Sequence, residues 1–132
     1  EGTIVSTKDK NGEGETYTSD EEHKLEIPLS VLTNGNSASA SEIFAGAVQD
    51  YGVGTLVGTT TFGKGIVQQI FPLTDGTSIK LTISEYFTPK GRNIHGTGID
   101  PDVEVEYEYN EEDPAADNQL EKAIEIVKGN GM

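Results

Sequence analysis

The sequence predicts an α/β domain: a mixed sheet with a β-α-β unit in its middle and a helix at its C-terminal end. Three observations carry this. Residues 28–60 read strand, helix, strand, which favours two parallel strands joined by a right-handed crossover. Two Asx-Gly pairs, Asn11-Gly12 and Asp75-Gly76, each separate stretches of strand character, the signature of a β-hairpin. The last twenty residues space Leu120, Ile124 and Val127 as one stripe of a helix.

The elements follow in order. Thr3–Lys8 and Glu15–Ser19 have the β-branched content of strands and flank the first turn. Ser19–Lys24 is a polar loop. Ile27–Asn34 has a continuous apolar centre and reads as a buried strand, with Pro28 at its start. In the helix that follows, Ile43, Phe44, Ala47, Val48 and Tyr51 recur on one face, and Gly52 and Gly54 end it. Thr55–Thr60 is a second buried strand. Ile66–Leu73 and Thr77–Thr88 form the second hairpin. The stretch "PKGRNIHGTGIDPD" reads as an extended loop, "VEVEYEY" as a strand with one acidic face, and the terminal helix stops at Gly129.

The chain has 132 residues and a net charge of −14, and the charge is uneven. Residues 1–26 carry −5, residues 27–99 are neutral, and residues 100–132 carry −9. Nucleic-acid binding is disfavoured, because phosphate contact needs clustered Lys and Arg. Contact with an anionic membrane surface is disfavoured for the same reason. The acidic flanks read as solvated, solubilising segments. No apolar run reaches the roughly 18 residues of a membrane span. The absence of Cys removes disulfides, Cys-ligated metals and a thiol nucleophile.

The chemistry concentrates in "NGNSASASEIFAGAVQD", Asn34–Asp50, where three serines alternate with alanines at the start of a helix. Ser39 and Glu42 form a Ser-x-x-Glu capping box, which by itself gives the serine a structural job. The same placement serves a nucleophile. A serine at a strand-to-helix turn points out of the sheet's carboxyl edge, where open α/β sheets place their sites. The helix N-terminus supplies free N–H groups and partial positive charge for an oxyanion. Ala40 N–H is one natural donor, and the small Ala38 and Ala40 leave room for a polypeptide.

A serine nucleophile needs a base. His23 lies in a charged loop and His95 in a Gly-rich one; neither has an orienting Asp motif, and both read as surface residues. The other candidate is Lys64 in "TTTFGKGIVQQ". A lysine acts as a base only when neutral, which desolvation promotes and nearby acids oppose. Four apolar residues, Phe62, Ile66, Val67 and Ile70, lie nearby, and the neutral middle of the chain spares Lys64 close carboxylates in sequence. A Gly-Lys-Gly turn with a solvated lysine accounts for the same letters.

Taken together, "SASASE", "TFGKG.VQ" and "TPKGRNIHGTGIDPD" make residues 28–106 resemble the carboxyl-terminal processing, or tail-specific, proteases of the S41 class of serine peptidases. The first two segments stand at that family's spacing of 25 residues from serine to lysine. The resemblance implies a crotonase-like S41 core. It implies Ser39 as nucleophile, Lys64 as base, Gln68 orienting the lysine, and Ala40 N–H as half of the oxyanion hole. On a strand, Lys64 and Gln68 would share a face. Asp50 matches an acid often seen in the family and reads as structural, while Ser37 and Ser41 supply local backbone hydrogen bonds.

Family members also carry a substrate-capturing PDZ domain and a Gly-rich "NPGG"-type loop upstream of this region. Neither precedes Ile27. The expectation is therefore a single partial domain, the C-terminal part of a catalytic domain. Residues 1–26 are its hairpin and acidic loop, 27–106 its catalytic core, and 107–132 an acidic linker with the terminal helix. Half of the oxyanion hole would be missing, so the chain alone is expected to be folded yet incomplete as an enzyme. The resemblance further implies a protein or peptide substrate, no metal or cofactor, and an extracytoplasmic location for the parent protein. The sequence is silent on oligomeric state. A competing reading is a non-catalytic scaffold or interaction module whose serines are caps. Calcium binding at Asp100–Asp113 is a third, and that segment lacks EF-hand spacing.

Overall fold

The computed structural model describes residues 1–24 and 26–129. Strands β1 (Gly2–Lys8), β2 (Thr16–Ser19), β3 (Ser30–Thr33), β4 (Thr55–Gly58), β5 (Ile66–Pro72), β6 (Ser78–Phe87) and β7 (Val103–Glu104) accompany helices α1 (Ala40–Tyr51) and α2 (Asn118–Gly129). The fold is α/β, with its parallel and antiparallel pairings separated into two sheets. An antiparallel sheet has the order β2-β1-β6-β5, and a parallel sheet has the order β3-β4-β7. Both Asx-Gly turns close hairpins. Asp9 Oδ1 accepts the N–H groups of Asn11 and Glu13, and Asp75 Oδ1 accepts that of Thr77. The β3-α1-β4 unit pairs its strands in parallel from Ser30↔Thr55 to Thr33↔Gly58.

Several local expectations change. The acidic "VEVEYEY" run forms a strand only at Val103–Glu104, because only Val57 and Gly58 of β4 are there to pair with it. The face of α1 is rotated from the apolar stripe. Ala45, Gly46 and Val48 are buried, while Phe44 is 53% exposed and Tyr51 is exposed as well. Small residues allow close approach: a Cβ on Gly46 would lie 2.8 Å from Thr88 Cγ2. Two carboxylates, Glu42 and Asp50, are buried on the same helix and set its rotation. On α2, Leu120 and Ile124 are exposed and Ala123 is the buried contact; its carbonyl accepts the Ser30 hydroxyl at 3.2 Å. Gly52, in the left-handed conformation at φ 64°, caps the end of α1.

The core joins the two sheets through Val5, Ala45, Val48, Leu56, Tyr86, Ile94 and Ile99. Ile94 and Ile99, 2% and 1% exposed, come from the stretch that reads as an extended loop. The loop is fixed at its start by Asp50, which accepts the Lys90 N–H at 2.8 Å and the Arg92 guanidinium at 2.5 Å. Burial by itself would raise the Asp50 pKa. Hydrogen bonds from Thr88, Lys90 and Arg92, with the Arg92 charge, outweigh it and hold the carboxyl below its ordinary value.

A depressed folded-state pKa gives stability that is present above the unfolded value, about 3.9, and lost as pH falls through the folded value. Acidification from about pH 4 downward should therefore lower the unfolding midpoint of the native chain more steeply than that of Asp50→Asn. At neutral pH that variant should be less stable by about 2 kcal/mol, as read by denaturant unfolding. Equal midpoints for both proteins across pH 2–7 would contradict this role.

Candidate active site: a serine and a lysine tied by a buried carboxylate

β3 ends at Thr33 and the chain turns through Asn34–Ala38 into α1. The turn is held by Ser37, whose N–H donates to the Asn34 carbonyl and whose Oγ accepts the Asn34 N–H. Ser39 is the N-cap of α1, with φ 57° and ψ −114°, and is the one non-glycine residue with positive φ among those described. Such strain persists only where the surroundings enforce it, and it gathers at functional turns. The small neighbours Ala38 and Ala40 give the turn room.

Glu42 enforces this geometry. Its side chain is fully buried, at 0% exposure. Oε2 accepts the backbone N–H of Ser39 at 2.9 Å, which is the glutamate half of the capping box. The same oxygen accepts Lys64 N–H at 2.9 Å. Oε1 accepts Gly63 N–H at 2.7 Å and the Thr61 hydroxyl at 2.6 Å. Four donors and the positive end of the helix dipole offset the cost of burying the charge. The lysine segment is zipped on its other side to the 94–99 loop. Ile99 N–H donates to Thr61 Oγ1, and Gly96 N–H to the Gly63 carbonyl. Gly63 sits at φ 85°, and a Cβ there would meet Gly98 N at 2.9 Å, so glycine is required.

Ser39, Lys64 and Gln68 line one cleft of about 660 Å³, with Ile43, Ser84 and Tyr86 among its other walls. No hydrogen bond joins Ser39 Oγ to Lys64 Nζ among the described residues. Catalytic contacts are often loose before substrate binds. Lys64 precedes β5 instead of lying on it, so the same-face strand relation to Gln68 does not apply. Gln68 is exposed, just past a bulge in the β5–β6 pairing, and its Nε2 donates to Thr82 Oγ1 at 3.4 Å. Ala40, next to Ser39 in the chain, lines a neighbouring groove with Ser37, Ser41 and Phe44. Its N–H has no acceptor among the described residues, whereas those of Ser41, Glu42 and Ile43 are taken by Ala38 and Ser39 carbonyls. Both histidines are exposed, and neither lines the cleft.

The expectation that Lys64 stands clear of carboxylates holds only along the chain. Folding sets Glu42, 22 residues earlier, against its backbone. Glu42 reads in sequence as a cap, and the Ser-x-x-Glu signal was all that could have marked it. Tyr86 carried no sequence signal as a site residue. Its hydroxyl donates to the Lys64 carbonyl. Burial, then the Glu42 charge, push this phenol above its ordinary pKa, against a lowering contribution from the Ser39 hydroxyl. Asp100 and Asp102 have structural duties: Asp100 accepts the Thr60 hydroxyl, and Asp102 accepts Leu56 N–H and Gln49 Nε2. Among the described residues, no group of three or more His, Cys, Asp or Glu is arranged to hold a metal ion.

Glu42→Gln keeps the volume but puts an N–H₂ where donors now converge. It should destabilise the fold by about 2–4 kcal/mol in denaturant unfolding. It should also displace the amide resonances of Ser39, Gly63 and Lys64 together, and unchanged resonances would rule out the shared anchor.

The model of peptidase family S41 matches residues 1–105. A carboxyl-terminal-processing protease of Synechocystis sp. is 44% identical, over 98% of this chain and 31% of its own length. Carboxy-terminal processing protease CtpB of Bacillus subtilis is 45% identical, over 76% of this chain and 21% of its own. Among solved structures, a photosystem II D1 C-terminal processing protease superposes with TM-score 0.73 and 35% identity, covering 96% of this chain and 31% of that one. The chain thus spans less than a third of the length of these relatives. With the family model covering most of its residues and its fold shared with a C-terminal processing protease, this chain belongs to peptidase family S41.

Proposed function

We propose that this chain forms the C-terminal part of the catalytic domain of a serine endopeptidase of the C-terminal processing type. On this reading residues 27–106 carry the catalytic core, between the hairpin and acidic loop of 1–26 and the acidic linker and helix of 107–132. One observation carries the proposal: the strained Ser39 and Lys64 face one cleft, and a single buried carboxylate holds both backbones.

Ser39 Oγ attacks the scissile carbonyl carbon, and its proton passes to unprotonated Lys64 Nζ. The tetrahedral oxyanion takes the free Ala40 N–H, at the positive end of α1. The C–N bond breaks, and the leaving amine takes the proton from Lys64. Water then hydrolyses the Ser39 ester, with Lys64 as base. Gln68, on the cleft wall, limits the orientations of the lysine. No step requires a metal or cofactor. The relatives' names support a protein substrate, and unfolded or tail-exposed chains suit a backbone nucleophile reached through an exposed cleft. An extracytoplasmic location for the parent rests on the family alone. No helix among the described residues is long and apolar enough to cross a membrane.

The non-catalytic reading is favoured by one observation, that Ser39 is also a helix cap. Cleavage of an unfolded polypeptide with an apolar C-terminus by the full-length protein separates the two. Ser39→Ala and Lys64→Ala should each lower the rate at least about 10³-fold, and a fluorophosphonate should label Ser39 in the native protein. Gln68→Ala should cost about tenfold. Undiminished cleavage by Ser39→Ala would sink the dyad.

A further inference from the structure

We propose that Tyr86 is a positioning residue for the Ser39–Lys64 pair, with its phenol fixing the Lys64 peptide beside the serine. The proposal rests on the dyad reading above. β6 is largely exposed from Ser78 to Ile83, yet Tyr86 is only 5% exposed. Its ring belongs to the core and its hydroxyl reaches the cleft. A buried phenol needs a polar partner, and here the partner is the carbonyl of the lysine itself. The Tyr86 backbone N–H donates to the next carbonyl, that of Gly65, at 3.0 Å. One residue therefore grips two successive peptides.

The grip complements that of Glu42. Lys64 N–H is held from α1 by Glu42 Oε2, and Lys64 C=O is held from β6 by the Tyr86 hydroxyl. With both polar groups of its backbone fixed, the lysine side chain leaves the main chain in one direction, into the cleft that Ser39 lines. The phenol has one proton and two lone pairs. Its proton is committed to the Lys64 carbonyl. Burial and the Glu42 charge keep the phenol protonated, so it remains a donor throughout the neutral range. Tyr86 acts through the lysine peptide that it orients.

The experiment compares wild type, Tyr86→Phe, Ser39→Ala and Lys64→Ala in the full-length protein, measuring kcat and KM on an unfolded polypeptide together with thermal unfolding. The ¹⁵N shift of the Gly65 amide is followed in parallel, since it reports the hydrogen bond at the preceding carbonyl. The expected result for Tyr86→Phe is kcat lowered about 10–100-fold, KM within about threefold, an intact fold and a displaced Gly65 resonance. Wild-type kcat in Tyr86→Phe, with Ser39→Ala and Lys64→Ala inactive, would overturn the Tyr86 role and leave the dyad standing. Cleavage by Ser39→Ala would overturn the dyad and this proposal with it. A Tyr86→Phe protein that fails to fold would also overturn it, because the phenol would then be a structural strut.

Discussion

The Glu42 carboxylate accepts hydrogen bonds from Ser39, Thr61, Gly63 and Lys64, groups on two segments about twenty residues apart in sequence. A fully buried charge is tolerated only when its oxygens are saturated, so each donor is obligatory once the helix has docked. The carboxylate also lies at the positive end of α1, where a negative charge is favoured. The strain at Ser39 and the course of the 61–65 segment both follow from this anchor. A solvated cap would have fixed Ser39 alone, and a free Gly-Lys-Gly turn would have left the lysine unplaced.

The anchor needs a second wall, which the 89–102 segment supplies. Asp50 and Arg92 fix where that segment begins, and Ile94 and Ile99 bury it against the core. Its backbone then pairs with Thr61 and Gly63 from the side opposite Glu42. Tyr86 closes the arrangement from β6, so helix α1 and the antiparallel sheet meet at Lys64. This explains why a segment without regular secondary structure carries two of the most buried apolar side chains. Its rigidity comes from side-chain burial and not from a ladder of its own.

Where local chemistry decides the outcome, the sequence is legible. The Asx-Gly turns, the start of α1 at Ser39 and its end at Gly52 rest on interactions within a few residues, and the β3-α1-β4 unit follows from the order of its elements. Where a distant partner decides, it is not. The helical stripe placed Phe44 and Tyr51 inward, but burying Glu42 and Asp50 turned the helix. Leu120 and Ile124 looked like the buried stripe of α2, but the small Ala123 makes the close contact with β3. The acidic run after Val103 lacked a neighbouring strand long enough to pair with it.

The sequence by itself determined the α/β class and the turn chemistry. Through the ordered segments around Ser39 and Lys64, it also determined the family resemblance. Only the tertiary structure decided that one cleft receives Ser39, Lys64 and Gln68, that Ala40 faces the adjoining groove, and that Glu42 and Tyr86 hold the lysine from opposite sides. The reason is physical. A capping box or a turn is encoded by neighbours along the chain. The hydrogen bonds that saturate a buried carboxylate or phenol come from whatever groups packing brings within reach.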